Sequence, residues 1–452
     1  MPPTRANPIR LGNATMPGKR RQKIDVNALK ALRRAQGSAP APKPQPEANV
    51  GATAHGATAA DPLIPTTRKK PEITERDIKG LKYFTLLSPL LEGLHECGTQ
   101  RDIAGNRILH YDQYCSLVLL FYFNPIVDSL RGIQQASQLG KIQKNLGCSR
   151  ASLGSLSEAA RVFDSELLRD LIPQLAEKVL PTAHGKDAKA LQGLIAVDGS
   201  LLPALPKMVW ALWINDDHRA AKMHVHFDVF KGIPADVTVT HGSGSEREQL
   251  RKMLLPGHVY VVDRGYEEYQ LFQDIVDARS SFIARVQDSV AYTVFEERPL
   301  TKEARAAGVI SDVIVKRLGT DHHKNVLKQK VRIVKVQTDK LDSNGKPNVL
   351  VLVTNLLDLP ADLVGLGYKY RWAVELFFRW LKCILGCRHL LANNVNGVEI
   401  QVYLGIIASL LISLWTGKKP TKRTLEMVQF YFSGLASWEE LQAHIESLKK
   451  HD

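Results

Sequence analysis

The chain of 452 residues is 44% hydrophobic and 23% charged, which is long enough for two or three domains, one of them with a sizeable core. Lys and Arg exceed Asp and Glu by 14, an excess that points to a polyanionic partner, nucleic acid ahead of a membrane surface. The five cysteines are scattered without the CxxC pairing of a zinc site, which speaks against a cysteine-held metal and for a reducing cytoplasm.

Residues 1–77 read as a disordered, basic, Pro/Ala-rich tail. The first eighty residues hold fifteen Lys or Arg against six Asp or Glu, so most of the net charge lies there. A short piece around Ile24–Arg34 is helix-capable. Stretches such as Ser38-Ala-Pro-Ala-Pro-Lys-Pro-Gln-Pro cannot bury a core. No apolar segment follows the basic start, so no signal peptide is expected.

Residues 78–187 carry helical Leu/Ile/Phe spacing over Phe84–Cys97, Tyr114–Phe123, Pro125–Gln138, Leu153–Phe163 and Glu166–Val179. The stretch from Leu146 to Arg161 has a Gly turn and Ser caps ahead of a helix, like the second half of a helix-turn-helix. Two short helices packed through a Gly turn look the same, so a DNA reader and a plain packing module both stay open. The region is expected to be a helical N-terminal DNA-binding domain.

Near residue 190 the periodicity changes to strands. Leu194-Ile-Ala-Val-Asp198 is a short apolar strand ending in an acid. Segments at Met208–Ile214, Lys222–Phe230 and Asp236–Thr240 follow. Ser245-Glu-Arg-Glu248 reads as a capping box opening a helix to about Leu255. Val259-Tyr-Val-Val-Asp263 is a second strand ending in an acid, followed by Arg264-Gly265-Tyr266, a helix over Tyr269–Asp277 and a strand at Ser281–Val286. An α/β core is expected. Residues 288–354 form a β-rich block with strands at Val290–Phe295, Val313–Leu318, Gln329–Gln337 and Val349–Thr354. The apolar run Val402–Trp415 is shorter than the roughly 20 residues a membrane span needs, and is read as a buried core helix. Residues 417–452 are expected to be a short helical C-terminal segment.

The run Tyr368–Lys382 reads as one amphipathic helix extending to about Leu385. At about 100° per residue, Tyr368, Arg371, Glu375, Arg379 and Lys382 fall on one polar stripe, beside apolar Val374, Phe377, Phe378, Trp380 and Leu381. An i,i+4 salt-bridge network is the bland explanation of such a stripe. Asp198 and Asp263 offer a second. Three carboxylates gathered together repel one another unless a cation joins them, and hard oxygen donors select Mg²⁺ or Mn²⁺. Two such ions serve in-line phosphoryl transfer, the chemistry of nucleases and polynucleotidyl transferases. Taken singly, either Asp is as readily a helix cap or turn former. His224 and His226 share a strand face without a third ligand and read as structural, and His322-His323 as a solvated turn. Neither a GxGxxG nor a Walker pattern occurs, so no nucleotide cofactor is expected.

The spacing Tyr368-(2)-Arg371-(3)-Glu375-(6)-Lys382 resembles the Y-R-E-K motif of bacterial DDE transposases of the insertion-sequence-4 family. Asp198-Gly-Ser and Asp263-Arg-Gly-Tyr266 are similar to that family's first two acidic motifs, and the β block stands where the family carries a β-strand insertion. The resemblance covers about 190–416. It implies a ribonuclease-H-like catalytic domain over 188–416 interrupted by a β-rich insertion at about 288–354. It further implies that Asp198, Asp263 and Glu375 hold two Mg²⁺ or Mn²⁺ ions, and that Tyr368, Arg371 and Lys382 contact phosphates, with Arg379 and Arg264 as further DNA contacts and Tyr266 as packing. The implied partner is double-stranded DNA, the terminal inverted repeats of an insertion sequence and its target, bound by a homodimer in the bacterial cytoplasm. The implied activity is cleavage at the element's ends followed by strand transfer. A nuclease or resolvase that does not join strands, and a DNA-binding regulator with a vestigial triad, are the alternatives.

Overall fold

Helices occupy the first part of the described chain. In this computed structural model residues 84–449 are described, apart from 96, 98–101, 103–104, 106, 182–184, 205–207, 216–217, 320–326, 328, 342–344 and 346. The expected tail over 1–77 and the His322-His323 turn lie outside the described residues.

The helices are α1 (Phe84–Glu92), α2 (Tyr111–Phe123), α3 (Leu130–Ala136), α4 (Gly140–Leu146), α5 (Leu153–Val162), α6 (Glu166–Arg169), α7 (Leu171–Glu177) and α8 (Lys186–Ala190). No strand interrupts them among the described residues, in keeping with the apolar spacing. The helix expected over Glu166–Val179 is divided between α6 and α7. Pro173 in α7 has no N–H for the Arg169 carbonyl and crowds it, which stops a continuous ladder. Gly147 ends α4 in the left-handed region at φ 58°, and the Ser152 hydroxyl caps α5 by accepting from the Ser155 N–H at 3.0 Å.

Ten strands follow: β1 (Leu194–Pro203), β2 (Leu212–Asn215), β3 (His218–Asp228), β4 (Ile233–His241), β5 (Val259–Val262), β6 (Ser281–Val286), β7 (Tyr292–Glu297), β8 (Val309–Leu318), β9 (Val331–Leu341) and β10 (Pro347–Thr354). They form one sheet in the order β2-β3-β1-β5-β6-β10-β9-β8-β7, with β4 also on β3. β3 is antiparallel to β1, whereas β5 is parallel to β1 and β6 to β5. The β block therefore extends the central sheet, because β10 pairs antiparallel with β6. Between strands lie α9 (Glu246–Lys252), α10 (Tyr269–Asp277) and α11 (Lys302–Ala306). The last of these has no counterpart in the expected elements.

After β10 come α12 (Ala361–Tyr370), α13 (Trp372–Arg379), a π-turn at Trp380–Ile384, α14 (Val395–Thr416), α15 (Lys422–Phe432) and α16 (Trp438–Lys449). The single regular helix expected over Tyr368–Leu385 is not observed. The helix begins earlier, directly after Pro360, and its winding changes twice. At Arg371 it tightens, with the Arg371 N–H donating to the Tyr368 carbonyl at 3.1 Å. At its end it widens, with the Leu385 N–H donating to the Trp380 carbonyl at 3.0 Å. Wide turns of this kind recur at functional sites.

The sheet alternation decides which helices cover which face. Ile195, Val197, Tyr260 and Val262 point to one side, where Leu250, Leu271 and Phe272 of α9 and α10 pack on them. Leu194, Ala196 and Val261 point to the other, against Val364 of α12 and Val374 and Phe377 of α13. The second side also carries α14, whose 22 residues are long and apolar enough to cross a membrane yet are 89% buried in their most apolar window. It packs among Leu117, Leu156 and Leu175 of the leading helices, as expected of a core helix.

Candidate active site

The two acidic strand ends lie at one level. Leu194 pairs with Val259 and Ala196 with Val261 across the parallel β1–β5 ladder. Asp198 and Asp263 each stand four residues beyond the first of these pairs. Both continue the alternation on the side covered by α12 and α13, the helices that carry Tyr368, Arg371 and Glu375.

Arg371 joins the acids across that face. Its Nη2 donates to Glu375 Oε1 at 2.6 Å, and its Nη1 lies 3.5 Å from Asp198 Oδ2. The guanidinium carbon sits 5.9 Å over the Tyr368 ring, and Arg371 Nε is buried without a partner. Asp198 Oδ1 also accepts from the Gly199 N–H at 2.8 Å, and Asp263 Oδ1 from the Gly265 N–H at 2.8 Å. Burial nonetheless pushes the Asp198 carboxyl up to about 6, outweighing the Gly199 amide and Arg371, with Asp263 and Glu246 adding to the rise. A carboxyl so buried keeps its proton unless further positive charge joins it. Tyr368 is half-buried and its phenol is raised, mainly by burial.

Lys382 reaches the same strand end from the wide turn. Its Nζ donates to Ser200 Oγ at 2.8 Å and to the Leu201 carbonyl at 3.5 Å. Ser200 lies two residues past Asp198, on the same side of β1. Arg379 and Arg264 are exposed, and among the described residues neither pairs with the three acids. Tyr266 is 1% exposed, as expected of packing.

The donor chemistry suits a hard divalent cation. Asp198, Asp263 and Glu375 are hard oxygen donors on one side of the sheet, and Asp198 is raised mainly by burial. The cation that pairs with both Asp198 and Glu375 among the described residues is the Arg371 guanidinium. Among the described residues no group of three His, Cys, Asp or Glu stands close enough to hold an ion as it is. Arg371 bridges two of the acids. His224 and His226 are buried on β3. His224 Nε2 is 2.8 Å from Thr240 Oγ1, and burial lowers the two imidazoles to about 4 and about 3, so they are neutral strand residues.

Glu246 stands outside the motifs, and Ser200 stands within Asp198-Gly-Ser without an assigned role. Glu246, the first residue of α9, lies against Gly199 and pairs with Lys222 at 3.2 Å. Ser200 receives Lys382. Glu246 belongs to a stretch that a helix N-cap already explains, since Ser245 Oγ accepts from the Glu248 N–H at 3.3 Å. The one signal that could have marked Glu246 is the glycine directly after Asp198.

Residues 189–411 match the transposase DDE domain family. The chain is 26% identical over 298 residues, 64% of this chain and 75% of the other, to a Geobacillus stearothermophilus protein assigned as the transposase of insertion sequence element IS5377. It is 29% identical over 232 residues, 51% of this chain and 62% of the other, to the Sinorhizobium fredii protein assigned as transposase y4zB. It is 20% identical over 285 residues, 62% of this chain and 77% of the other, to a Synechocystis protein assigned as the transposase of insertion sequence element IS4SA. Among solved structures, a piggyBac transposase synaptic complex with hairpin DNA aligns with 84% of this chain and 87% of its own at 12% identity and a TM-score of 0.40, a likeness too loose to build on. With the acids, the Y-R-E-K spacing and these relatives in agreement, the chain belongs to the bacterial DDE transposases of the insertion-sequence-4-like type and serves DNA transposition.

Proposed function

We propose that this transposase cleaves DNA at the ends of an insertion sequence and joins the freed 3′ ends to target DNA, using Asp198, Asp263 and Glu375 as carboxylate ligands for Mg²⁺ or Mn²⁺. The observation that carries the reading is the equal four-residue step from the Leu194–Val259 pair to each aspartate, with Arg371 linking Asp198 to Glu375. The strand order β4-β3-β1-β5-β6, antiparallel to β1 on one side and parallel on the other, supports a ribonuclease-H-like catalytic domain over 188–416. Residues 78–187 then serve DNA binding and 417–452 a helical C-terminal segment. The two ends of an element call for a homodimer acting on DNA in the cytoplasm.

Divalent ions bound by these carboxylates supply a polarised water or hydroxyl and charge relief at the leaving oxygen. The chain's own residues do the rest. Arg371, a planar fork, suits two phosphate oxygens, and Lys382 suits one as a point charge. Tyr368 stacks under Arg371 and limits its swing. Release of Arg371 from Asp198 and Glu375 would leave both carboxylates open to a cation and the guanidinium open to phosphate.

The test uses the full chain, a DNA duplex carrying the element's end, a precut end and a target plasmid. D198A, D263A and E375A are each expected to reduce divalent-dependent cutting to background while end binding persists; retained cutting removes the triad assignment. Wild type is expected to join precut ends to the plasmid. Cutting with no joining leaves a nuclease.

A further inference from the structure

The side of the sheet opposite Arg371 carries charge that the Y-R-E-K motif does not include. Gly199 follows Asp198 and therefore points the other way. A Cβ built on Gly199 would stand 2.7 Å from Glu246 Oε1, 3.0 Å from its Cδ and 3.2 Å from its Cγ. The Glu246 side chain thus lies flat on the backbone that presents Asp198, in space that only glycine leaves.

One residue holds it there, and a second lies near the same acids. Lys222, opposite Leu201 on β3, has its Nζ 3.2 Å from Glu246 Oε1 and donates to the Gly244 carbonyl at 3.2 Å. Tyr266, three residues past Asp263, is 1% exposed, and its hydroxyl is buried with no hydrogen-bond partner. A buried, unpaired hydroxyl is costly unless something nearby uses it. Burial is the main cause that raises this phenol, and the charges of Glu246, Asp198 and Asp263 add to it, with Arg371 opposing.

We propose that Glu246, laid over Gly199 and held by Lys222, is a positioning residue for DNA transposition. It supplies a fixed negative charge behind the strand ends of Asp198 and Asp263, and this charge sets how tightly those carboxylates hold divalent cations. The proposal rests on the reading of Asp198, Asp263 and Glu375 as the ligands. Glu246 acts through Asp198 and touches neither the ion nor the DNA. Lys222 neutralises it in part, and the residual negative potential reaches Asp198 across the partly buried Gly199 backbone, where screening by salt is reduced but not absent. Partners behind a ligand shell typically change metal affinity about 10- to 100-fold when removed.

The experiment measures Mn²⁺ binding to the full-length protein by calorimetry, together with end cleavage as a function of Mn²⁺ concentration. E246Q keeps the shape over Gly199 and removes the charge. It is expected to weaken Mn²⁺ binding roughly tenfold, and to raise the Mn²⁺ needed for half-maximal cleavage by the same factor. The rate at saturating Mn²⁺ should stay within about twofold, a split that a merely structural role does not produce. E246D restores the charge and is expected to recover most of the affinity. K222M, which removes the partial neutralisation of Glu246, serves as the second variant should E246Q fail to fold. It is expected to tighten Mn²⁺ binding by a few-fold. Wild-type Mn²⁺ affinity in E246Q, or in K222M where E246Q does not fold, overturns the inference. D198N separates the two layers of argument. If D198N binds Mn²⁺ like wild type, the ligand reading itself fails; if D198N loses binding while E246Q keeps it, only the role of Glu246 falls.

Discussion

Arg371 stands between Asp198 and Glu375, 3.5 Å from one carboxylate and 2.6 Å from the other. One guanidinium thus serves both of these carboxylates, which the proposal assigns to a divalent cation. Arg371 also belongs to the set proposed for phosphate contact, so cation loading and DNA capture draw on the same side chain. R371A leaves Asp198 and Glu375 facing each other without a positive partner. Hydrogen bonds to charged groups contribute about 1.5–3 kcal/mol, so the metal-free variant is expected to lose stability of that order. Added Mn²⁺ should stabilise R371A more than it stabilises wild type. Thermal unfolding with and without Mn²⁺ reads both effects, and equal melting of metal-free R371A and wild type would contradict the bridge.

Asp198 predicts a pH dependence of stability. Its carboxyl is raised from 3.8 to about 6, first by burial. The folded state therefore holds this proton more tightly than the unfolded state. The stability it contributes is fully present below about pH 4 and is lost as pH rises through about 6. The full swing is about 3 kcal/mol, at 1.36 kcal/mol per unit. His224 and His226, lowered by burial to about 4 and about 3, pull the absolute curve the other way. The reading is accordingly the difference between wild type and D198N. Without metal, D198N should gain on wild type as pH rises from 4 to 7, and Mn²⁺ should close the gap by stabilising wild type alone. A difference that does not change with pH would show that Asp198 titrates normally.

Lys382 and Ser200 make a separable pair. The Lys382 amine is parked on the Ser200 hydroxyl at 2.8 Å, and the proposal gives that amine a DNA phosphate. K382A should weaken binding of end DNA and lower the slope of log affinity against log salt by about 0.9, the value for one phosphate on duplex DNA. S200A removes only the parking place and should leave the slope unchanged. An unaltered slope in K382A would remove Lys382 from the DNA contacts.

Much of this site is written in strand length and side-chain type. Leu194-Ile-Ala-Val-Asp198 and Val259-Tyr-Val-Val-Asp263 are apolar runs of equal length ending in acids, and the parallel register turns that equality into adjacency. The stripe of Tyr368, Arg371 and Glu375 survives because the helix keeps one face on the sheet. The winding changes were not legible, since tightening at Arg371 and widening after Trp380 answer to packing against α14 and β1 rather than to apolar period. Pairing of β10 with β6 is likewise non-local, and nothing in either strand names its neighbour. Glu246 was hidden by a sufficient local explanation, the cap on α9. Only the direction in which Gly199 points reveals it.

The β block bears on the site through a buried ion pair. Arg332 on β9 and Asp312 on β8 meet in two 2.7 Å hydrogen bonds, with side chains only 3% and 5% exposed. Arg332 Nη1 also donates to the carbonyls of Leu357 and Leu359, and Arg298 Nη1 to that of Leu357. These carbonyls belong to the loop that feeds α12, and α12 leads directly to Arg371 and Glu375. D312A leaves a buried guanidinium without its counter-charge, which costs about 3–5 kcal/mol. Removing the charge as well, in D312A/R332M, should return part of that stability, because two desolvated ions are replaced by apolar groups. The double variant still lacks the donor that holds the Leu357 and Leu359 carbonyls, so its end-cleavage rate should stay well below wild type at temperatures where it is fully folded. Denaturant unfolding measures the first two effects, and cleavage of an end duplex the third. A double variant that recovers stability and cleaves at the wild-type rate would show that the loop needs no clamp to aim Glu375.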